Sequence, residues 1–263
     1  MTQNDNNRVA IVTGAAQGIG AAIARRLSKD GFDVVIADLP GRIADIKQMA
    51  ETLSKGAARA VAAGCDVKSK ADVEALVKTA VDSFGHLDVM VANAGIAPVG
   101  PFLSIDEKTM QDLVDVNIKG VLWCYQAAAN QMIAQGTGGR LIAASSIAGV
   151  EGYEAFGAYS MTKFAVRALN QSAAKELGKH KINCNVYCPG PVDTPMWTKI
   201  DEAISGALGA PQGSFTKQRV DNSVLGRLVT VEDVANGVAF LAGPDSSFIT
   251  GESLMISGGD AIH

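Results

Sequence analysis

The sequence predicts a doubly wound α/β fold, a parallel sheet with helices on both faces, formed by residues 1–263 as a single domain. Three observations predict it. Short β-branched runs alternate with longer segments of helical period along the chain. Several runs are apolar on consecutive positions, as in Val34-Val35-Ile36 and Val89-Met90-Val91, the pattern of strands buried on both faces. The first run ends in a cluster of glycines that leads straight into a helical segment.

Taken in order, Val9–Thr13 is the first strand and a helix follows from about Ile19 to Lys29. Asp33–Asp38 reads as strand two, Arg59–Gly64 as strand three and Leu87–Ala92 as strand four. Gly139–Ser145 is strand five, Ile182–Cys188 strand six, and Leu254–Ile256 an apolar C-terminal strand. Helical segments fall near residues 42–54, 70–84, 107–135 and 157–178. Thr194 to Leu225 is different: it carries Gly206, Gly209, Pro211 and Gly213 with weak periodicity. We read 194–225 as an excursion that covers a site, since such segments are disproportionately functional.

Composition removes several function classes. The chain has 263 residues, 48% hydrophobic and 19% charged, and a net charge of -4. That charge offers no general attraction to phosphate backbones or anionic lipid, so no nucleic-acid or membrane partner is expected. Met1 to Arg8 is polar and leads directly into a strand, and no segment approaches the roughly 18 apolar residues of a membrane span. The expected location is the cytoplasm. Cys65, Cys124, Cys184 and Cys188 lack metal-type spacing and read as buried small hydrophobes. With only His86, His180 and His263 and no H-E-x-x-H, no metal site is expected.

The first strand runs into Thr13-Gly14-Ala15-Ala16-Gln17-Gly18-Ile19-Gly20 and then a helix. Glycines at such a turn let the backbone approach a pyrophosphate, whose charge the helix N-terminus favours. The spacing is G-x-x-x-G-x-G, which a purely structural turn could also carry. No Gly-Lys-Ser/Thr follows, so it is not a P-loop. Its place after strand one makes the domain Rossmann-type. Asp38, some twenty residues on, can accept hydrogen bonds from the adenosine ribose and repel a 2′-phosphate. Gln17 brings no positive charge to the loop. Both favour NAD(H) over NADP(H), against which stands Arg42, within swinging distance of a phosphate.

Tyr159-Ser160-Met161-Thr162-Lys163 opens a helical segment, and i,i+4 spacing puts Tyr159 and Lys163 on one face. A free tyrosine has a pKa of about 10 and is a poor acid or base at neutral pH. A neighbouring ammonium, with the positive nicotinamide of NAD+, favours the phenolate. So tuned, tyrosine can exchange a proton with an alcohol oxygen while hydride moves at carbon.

Jointly these residues resemble the short-chain dehydrogenase/reductase family from Thr13 to Gly259. The match includes the Thr13–Gly20 loop, Asp66-Val67, Asn93-Ala94-Gly95, Asn117, Ser145-Ser146, Tyr159/Lys163 and Pro189-Gly190. The resemblance implies an NAD(H)-dependent enzyme in which Tyr159 is the acid/base and Lys163 holds the nicotinamide ribose and depresses the tyrosine pKa. Ser146, in competition with Ser145, would hydrogen-bond the substrate oxygen, and Asn117 would anchor a proton-relaying water. Gly14, Gln17, Gly18, Ile19, Gly20, Asp38 and Leu39 would cradle the coenzyme. Asp66 and Val67 would meet its adenine, Asn93, Ala94 and Gly95 would border it, and Pro189, Gly190, Val192 and Thr194 would meet the nicotinamide end. The family also implies a homotetramer, with helices near 107–135 and 157–178 at one two-fold interface and Leu254–Ile256 at another.

Tyr187 to Trp197, with Ile200-Asp201, Leu225-Gly226-Arg227 and Thr250-Gly251-Glu252, resembles the acetoin/diacetyl reductases, also called 2,3-butanediol dehydrogenases. A small diketone or hydroxyketone reduced to an S-configured carbinol is therefore expected. Ile147 would form one wall of the pocket, the Tyr153 hydroxyl would meet a vicinal oxygen, and Met196 and Trp197 would close the site from above. The alternatives are a polyol dehydrogenase, a 3-oxoacyl-carrier-protein reductase (disfavoured by Asp38 and the net charge) and an NAD-binding regulatory protein. The last would be expected to lose Asn117, Ser146, Tyr159 or Lys163, and all four are present.

Overall fold

Strand side chains alternate between two packed layers. In the computed structural model, which describes residues 7–207 and 209–262, Val9 and Ile11 of the first strand point into one apolar cluster. Ala10 and Val12 point into a second cluster on the other face. Every residue of that strand is buried, which is why it reads as a continuous apolar run. The polar lead-in at Met1–Arg8 lies outside the described residues except for Asn7 and Arg8, as does His263.

The order is β1 (Val9–Thr13), α1 (Gly18–Lys29), β2 (Asp33–Asp38), α2 (Ile43–Leu53), β3 (Ala60–Gly64), α3 (Lys70–Phe84) and β4 (Val89–Ala92). Then come α4 (Glu107–Leu113), α5 (Gly120–Gln135), β5 (Gly139–Ala144), α6 (Gly157–Leu177) and β6 (Ile182–Pro189). The chain ends with α7 (Pro195–Ala207), α8 (Ser214–Asn222), α9 (Val231–Ala242) and β7 (Ser253–Ile256). The seven strands form one sheet, β3-β2-β1-β4-β5-β6-β7, and each pairing is parallel. The strand order reverses between β1 and β4, so the loops leaving these two strands diverge and open a crevice at their carboxyl ends.

Expected strand limits hold to within two residues, but the helices differ in three places. The segment 107–135 is interrupted by a wide π-helical turn over Val114–Lys119, centred on Asn117. The excursion 194–225 is not loop-like: α7 and α8 form a helical hairpin across its glycines. Helix α9 was not expected, although Thr230 and Asp233 form a reciprocal capping box that marks its start. Among the described residues no helix is long and apolar enough to cross a membrane.

Close approach governs the turn after β1. Gly14 has a left-handed φ of 63°, and a Cβ there would sit 2.8 Å from the Ala94 backbone. At Gly20 a Cβ would collide with the Gly14 carbonyl and lie 2.6 Å from Asn93 Nδ2. Gly20→Ala is therefore expected to cost at least about 2 kcal/mol and lower the melting temperature by roughly 4–10 °C. Gly206→Ala, whose Cβ would meet nothing within 4 Å, is the control and should leave it unchanged or slightly higher. Calorimetry checks the pair.

Candidate active site

Two clefts meet at the carboxyl edge of the sheet. The larger, about 2000 Å³, runs over the turn after β1 and is lined by Gly14, Gln17, Gly18, Ile19 and Gly20. Asp38 and Leu39 at the end of β2, Asp66 and Val67 after β3, and Asn93, Ala94 and Gly95 after β4 complete that wall. Pro189 and Thr194 close the other end, whereas Gly190 and Val192 line only the smaller cleft. Asn93 fixes this edge: its Nδ2 donates to Thr13 O (2.8 Å) and Gly14 O (3.1 Å), and its Oδ1 accepts from Tyr187 (2.8 Å). The α1 N-terminus has no capping side chain and no acidic residue in its first turn. Its amides suit an anion.

Asp38 accepts from the Ala16 amide and from its neighbour Leu39, each at 2.8 Å, which sets the carboxylate against the cleft with lone pairs to spare. Arg42 also lines the cleft. Its guanidinium is held by Asp45 at 2.6 Å and by Gln17 at 3.3 Å, so turning toward a phosphate means leaving both.

Tyr159 stands where the clefts join and lines both. Lys163, one turn on in α6, is 4% exposed and donates to Ala144 O at 2.9 Å. Its Nζ lies 5.5 Å from the Tyr159 ring centre. The two serines separate clearly. Ser145 donates to the Lys163 carbonyl at 3.0 Å, while Ser146 faces the smaller cleft and accepts from the Ala148 amide at 3.1 Å. Asn117 is fully buried behind both clefts. It accepts from Ile96 N and donates to Ile96 O, each at 2.9 Å, and donates to Thr162 at 3.1 Å. A Cβ on Gly95 would touch both Asn117 Oδ1 (3.3 Å) and Lys163 Nζ (3.5 Å), so these two groups converge on one spot.

Burial sets the protonation of this pair. It pushes Tyr159 up to about 12, the Ser146 hydroxyl pulling the other way. It brings Lys163 down to about 8. The expected lowering of the tyrosine pKa involves a positive nicotinamide as well as Lys163; in the chain by itself burial governs, and Tyr159 is a neutral phenol.

The smaller cleft, about 630 Å³ and partly open, is lined by Ser146, Ile147, Tyr153, Tyr159, Met196 and Trp197. Phe156, Ile200, Phe215 and Arg219 also line it and were missed. Trp197 both packs and lines: it stacks on Phe215 (5.5 Å between ring centres) and donates to Thr216 at 3.0 Å. Met196 is 43% exposed at the rim. The Tyr153 hydroxyl donates to Glu151, not into the cleft, so the expected donation to a vicinal oxygen is already committed.

Comparisons with known proteins fit this geometry. A family profile described as Enoyl-(Acyl carrier protein) reductase matches residues 14–260. The chain is 45% identical over 258 residues to a diacetyl reductase [(S)-acetoin forming] of Staphylococcus epidermidis, covering 96% of this chain and 98% of that one. It is 40% identical over 253 residues to an L-2,3-butanediol dehydrogenase of Corynebacterium glutamicum, with 96% and 98% covered. The chain belongs to the short-chain dehydrogenase/reductase family. A 3-ketoacyl-(acyl-carrier-protein) reductase from Brucella melitensis complexed with NADH has a TM-score of 0.85 at 29% identity, over 98% of this chain and 100% of that one. Another similar structure holds NADPH. This chain is thus an oxidoreductase acting on alcohol and ketone groups, and its larger cleft fits a nicotinamide dinucleotide. The uncapped α1 N-terminus, whose first residues Gly18, Ile19 and Gly20 line that cleft, suits the group's pyrophosphate.

The lid over the smaller cleft depends on Asp201 of α7. Its carboxylate accepts from Gly213 N (2.6 Å), Thr216 N (2.7 Å) and Thr216 Oγ1 (2.8 Å), tying α7 to α8. Burial would raise this carboxyl, but those hydrogen bonds outweigh it and hold it below the ordinary value. Its stabilisation is therefore present at neutral pH and lost as pH falls through the folded value. Asp201→Ala should weaken the hairpin by about 2–3 kcal/mol. Limited proteolysis within 194–225 should accelerate at least tenfold in the variant; an unchanged rate would show the tie is dispensable.

Proposed function

We propose that this chain is an NAD(H)-dependent diacetyl/acetoin reductase that forms S-configured carbinols and oxidises the matching 2,3-butanediol in reverse. The observation that carries the reading is the meeting of Ser146, Tyr159 and Lys163 at the junction of a dinucleotide cleft with a small, largely apolar one. Ile147, Phe156, Trp197 and Ile200 give the cleft an apolar lining that suits a small ketone. The names of the 40–45% identical relatives support the substrate, and Asp38 supports NAD(H). The apolar rim also favours a diketone over a polyol.

A bound dihydronicotinamide supplies the hydride. The chain's own residues handle the oxygen. The Ser146 hydroxyl donates a hydrogen bond to the substrate carbonyl and polarises it. Tyr159, protonated well beyond neutral pH, delivers its proton to that oxygen as negative charge builds there. Lys163 positions the nicotinamide ribose and stabilises the phenolate left behind. Asn117, converging with Lys163 on Gly95, holds the end of the path by which a proton returns from solvent. Phe156, Phe215 and Trp197 exclude bulk water from the reacting side. We place the enzyme in the cytoplasm as a homotetramer, an assembly that would cover Met161 and Phe164 on α6 and Phe248 near β7, all exposed in one chain. Sedimentation at micromolar concentration checks it, and a monomer counts against it.

Three measurements test the reading. Tyr159→Phe should lower kcat by at least about 10³-fold while NADH still binds; substantial residual turnover would mean that the acid/base lies elsewhere. Chiral analysis of the acetoin made from diacetyl and NADH should give mainly the S product, with kcat/KM higher for NADH than for NADPH. Reductive kcat/KM reports the free enzyme's groups, so it should be flat below about pH 8 and fall above it as Lys163 loses its proton. A profile flat to pH 10 would remove the lysine from the mechanism.

A further inference from the structure

The smaller cleft holds one charged side chain. Arg219, on α8, is 9% exposed and lines the cleft beside Phe215. One of its amino groups is bound by Asp260, whose side chain is 2% exposed. The Tyr153 ring lies over the guanidinium at 4.7 Å. A buried ion pair of this kind is costly to assemble and rarely improves stability over apolar packing. Its place in a substrate cleft suggests binding.

The cleft's polar groups narrow the task. Thr194 donates to Val192 O at 3.1 Å, Trp197 to Thr216 at 3.0 Å, and Tyr153 to Glu151. Ser146 and Tyr159 address the reacting oxygen. Arg219 remains, with five N–H donors of which Asp260 engages one and the Tyr153 hydroxyl lies close to another. From this we infer that Arg219 selects substrates by donating to a second oxygen vicinal to the reacting carbonyl, and that Asp260 tunes it to a neutral oxygen. The inference rests on the proposed reduction at Tyr159 and names the feature of the substrate that the cleft recognises.

Asp260 explains why the preferred ligand is a diketone or hydroxyketone and not a 2-oxo acid. An unpaired arginine would favour a carboxylate through a bidentate pair. Here the second carboxylate oxygen of Asp260 is buried without a hydrogen-bond partner, and its one side-chain hydrogen bond is to Arg219. The pair therefore offers directional N–H groups with no net charge, and an incoming carboxylate would face Asp260 across the same guanidinium. Asp260 is a positioning residue; Arg219 makes the contact.

The test measures ratios of kcat/KM on single preparations, which makes it insensitive to the fraction folded. Arg219→Met is expected to lower the ratio for butane-2,3-dione over butan-2-one by roughly 30-fold, the loss of one charged hydrogen bond. Because Arg219→Met strands a buried carboxylate, the double variant Arg219→Met with Asp260→Asn is measured beside it and should show the same fall. Asp260→Asn alone should raise the ratio for 2-oxobutanoate over butane-2,3-dione at least tenfold. If the wild-type protein preferred butan-2-one to butane-2,3-dione, the functional reading and this one would fall together. A wild-type preference for the dione that both Arg219 variants preserve would overturn the Arg219 assignment alone. An unchanged 2-oxobutanoate ratio in Asp260→Asn would overturn the role of Asp260.

Discussion

Asn93 spans three parts of the chain that are far apart in sequence. Through one amide it holds the carbonyls of Thr13 and Gly14, and through its oxygen it receives the hydroxyl of the fully buried Tyr187 on β6. Thr13 answers by accepting from the amides of Asn93 and Ala94 at 3.0 and 3.1 Å. These bonds are partly buried at the floor of the cleft, where leaving an amide unpaired costs more than a made bond gains. The turn after β1 and the ends of β4 and β6 are thereby locked in register. The dinucleotide cleft is the space left above that lock, and Gly14 and Gly20 are small because the Ala94 backbone, the Gly14 carbonyl and Asn93 occupy the room their side chains would take.

From this edge the chemistry follows by burial. Lys163 is anchored to Ala144 at the end of β5, and Ser145 grips its carbonyl. The lysine thus has little freedom to leave, while desolvation lowers its proton affinity toward physiological pH. Tyr159 is driven the other way and stays a neutral acid. Two groups whose environments push their pKa values toward each other from 10.5 and 10.0 end up exchanged in order, tyrosine above lysine. That ordering suits delivery of a proton in reduction. In oxidation it needs an added positive charge near the phenol, which is the contribution of an oxidised nicotinamide.

Much of this was legible in the sequence, because its parts are local. The glycine turn, Tyr159 with Lys163, Ser146 and Asp38 each sit on one element at a spacing fixed by that element's geometry. The apolar runs placed each strand to within two residues, most plainly β1, β2 and β4, whose near-complete burial on both faces admits little else. What escaped depends on contacts between distant segments. Arg219 and Asp260 are 41 residues apart and meet only when α8 folds back. The Tyr153 hydroxyl found Glu151 two residues away, an option that alternation on the page does not reveal. The π-helical turn at Asn117 arises because its amide pairs with Ile96 and Thr162, so tertiary bonds override the regular helical repeat.

The two clefts are built on opposite physical principles, and that division accounts for how one scaffold can keep its reaction while changing its substrate. The floor of the dinucleotide side is backbone, glycine and an amide tied across the sheet, where a change at Gly14, Gly20 or Asn93 would disturb strand ends. The smaller cleft is flanked by α7 and α8, held to each other by Asp201 and to the body by the tilted Phe156–Phe215 ring pair and the Arg219–Asp260 pair. Neither helix contributes a strand or a sheet hydrogen bond, so both can be remodelled at small cost to the core. Much of the wall of the smaller cleft thus comes from the segment between Thr194 and Leu225, where weak periodicity marked the sequence, whereas Lys163 and Ser145 are held at the end of the sheet.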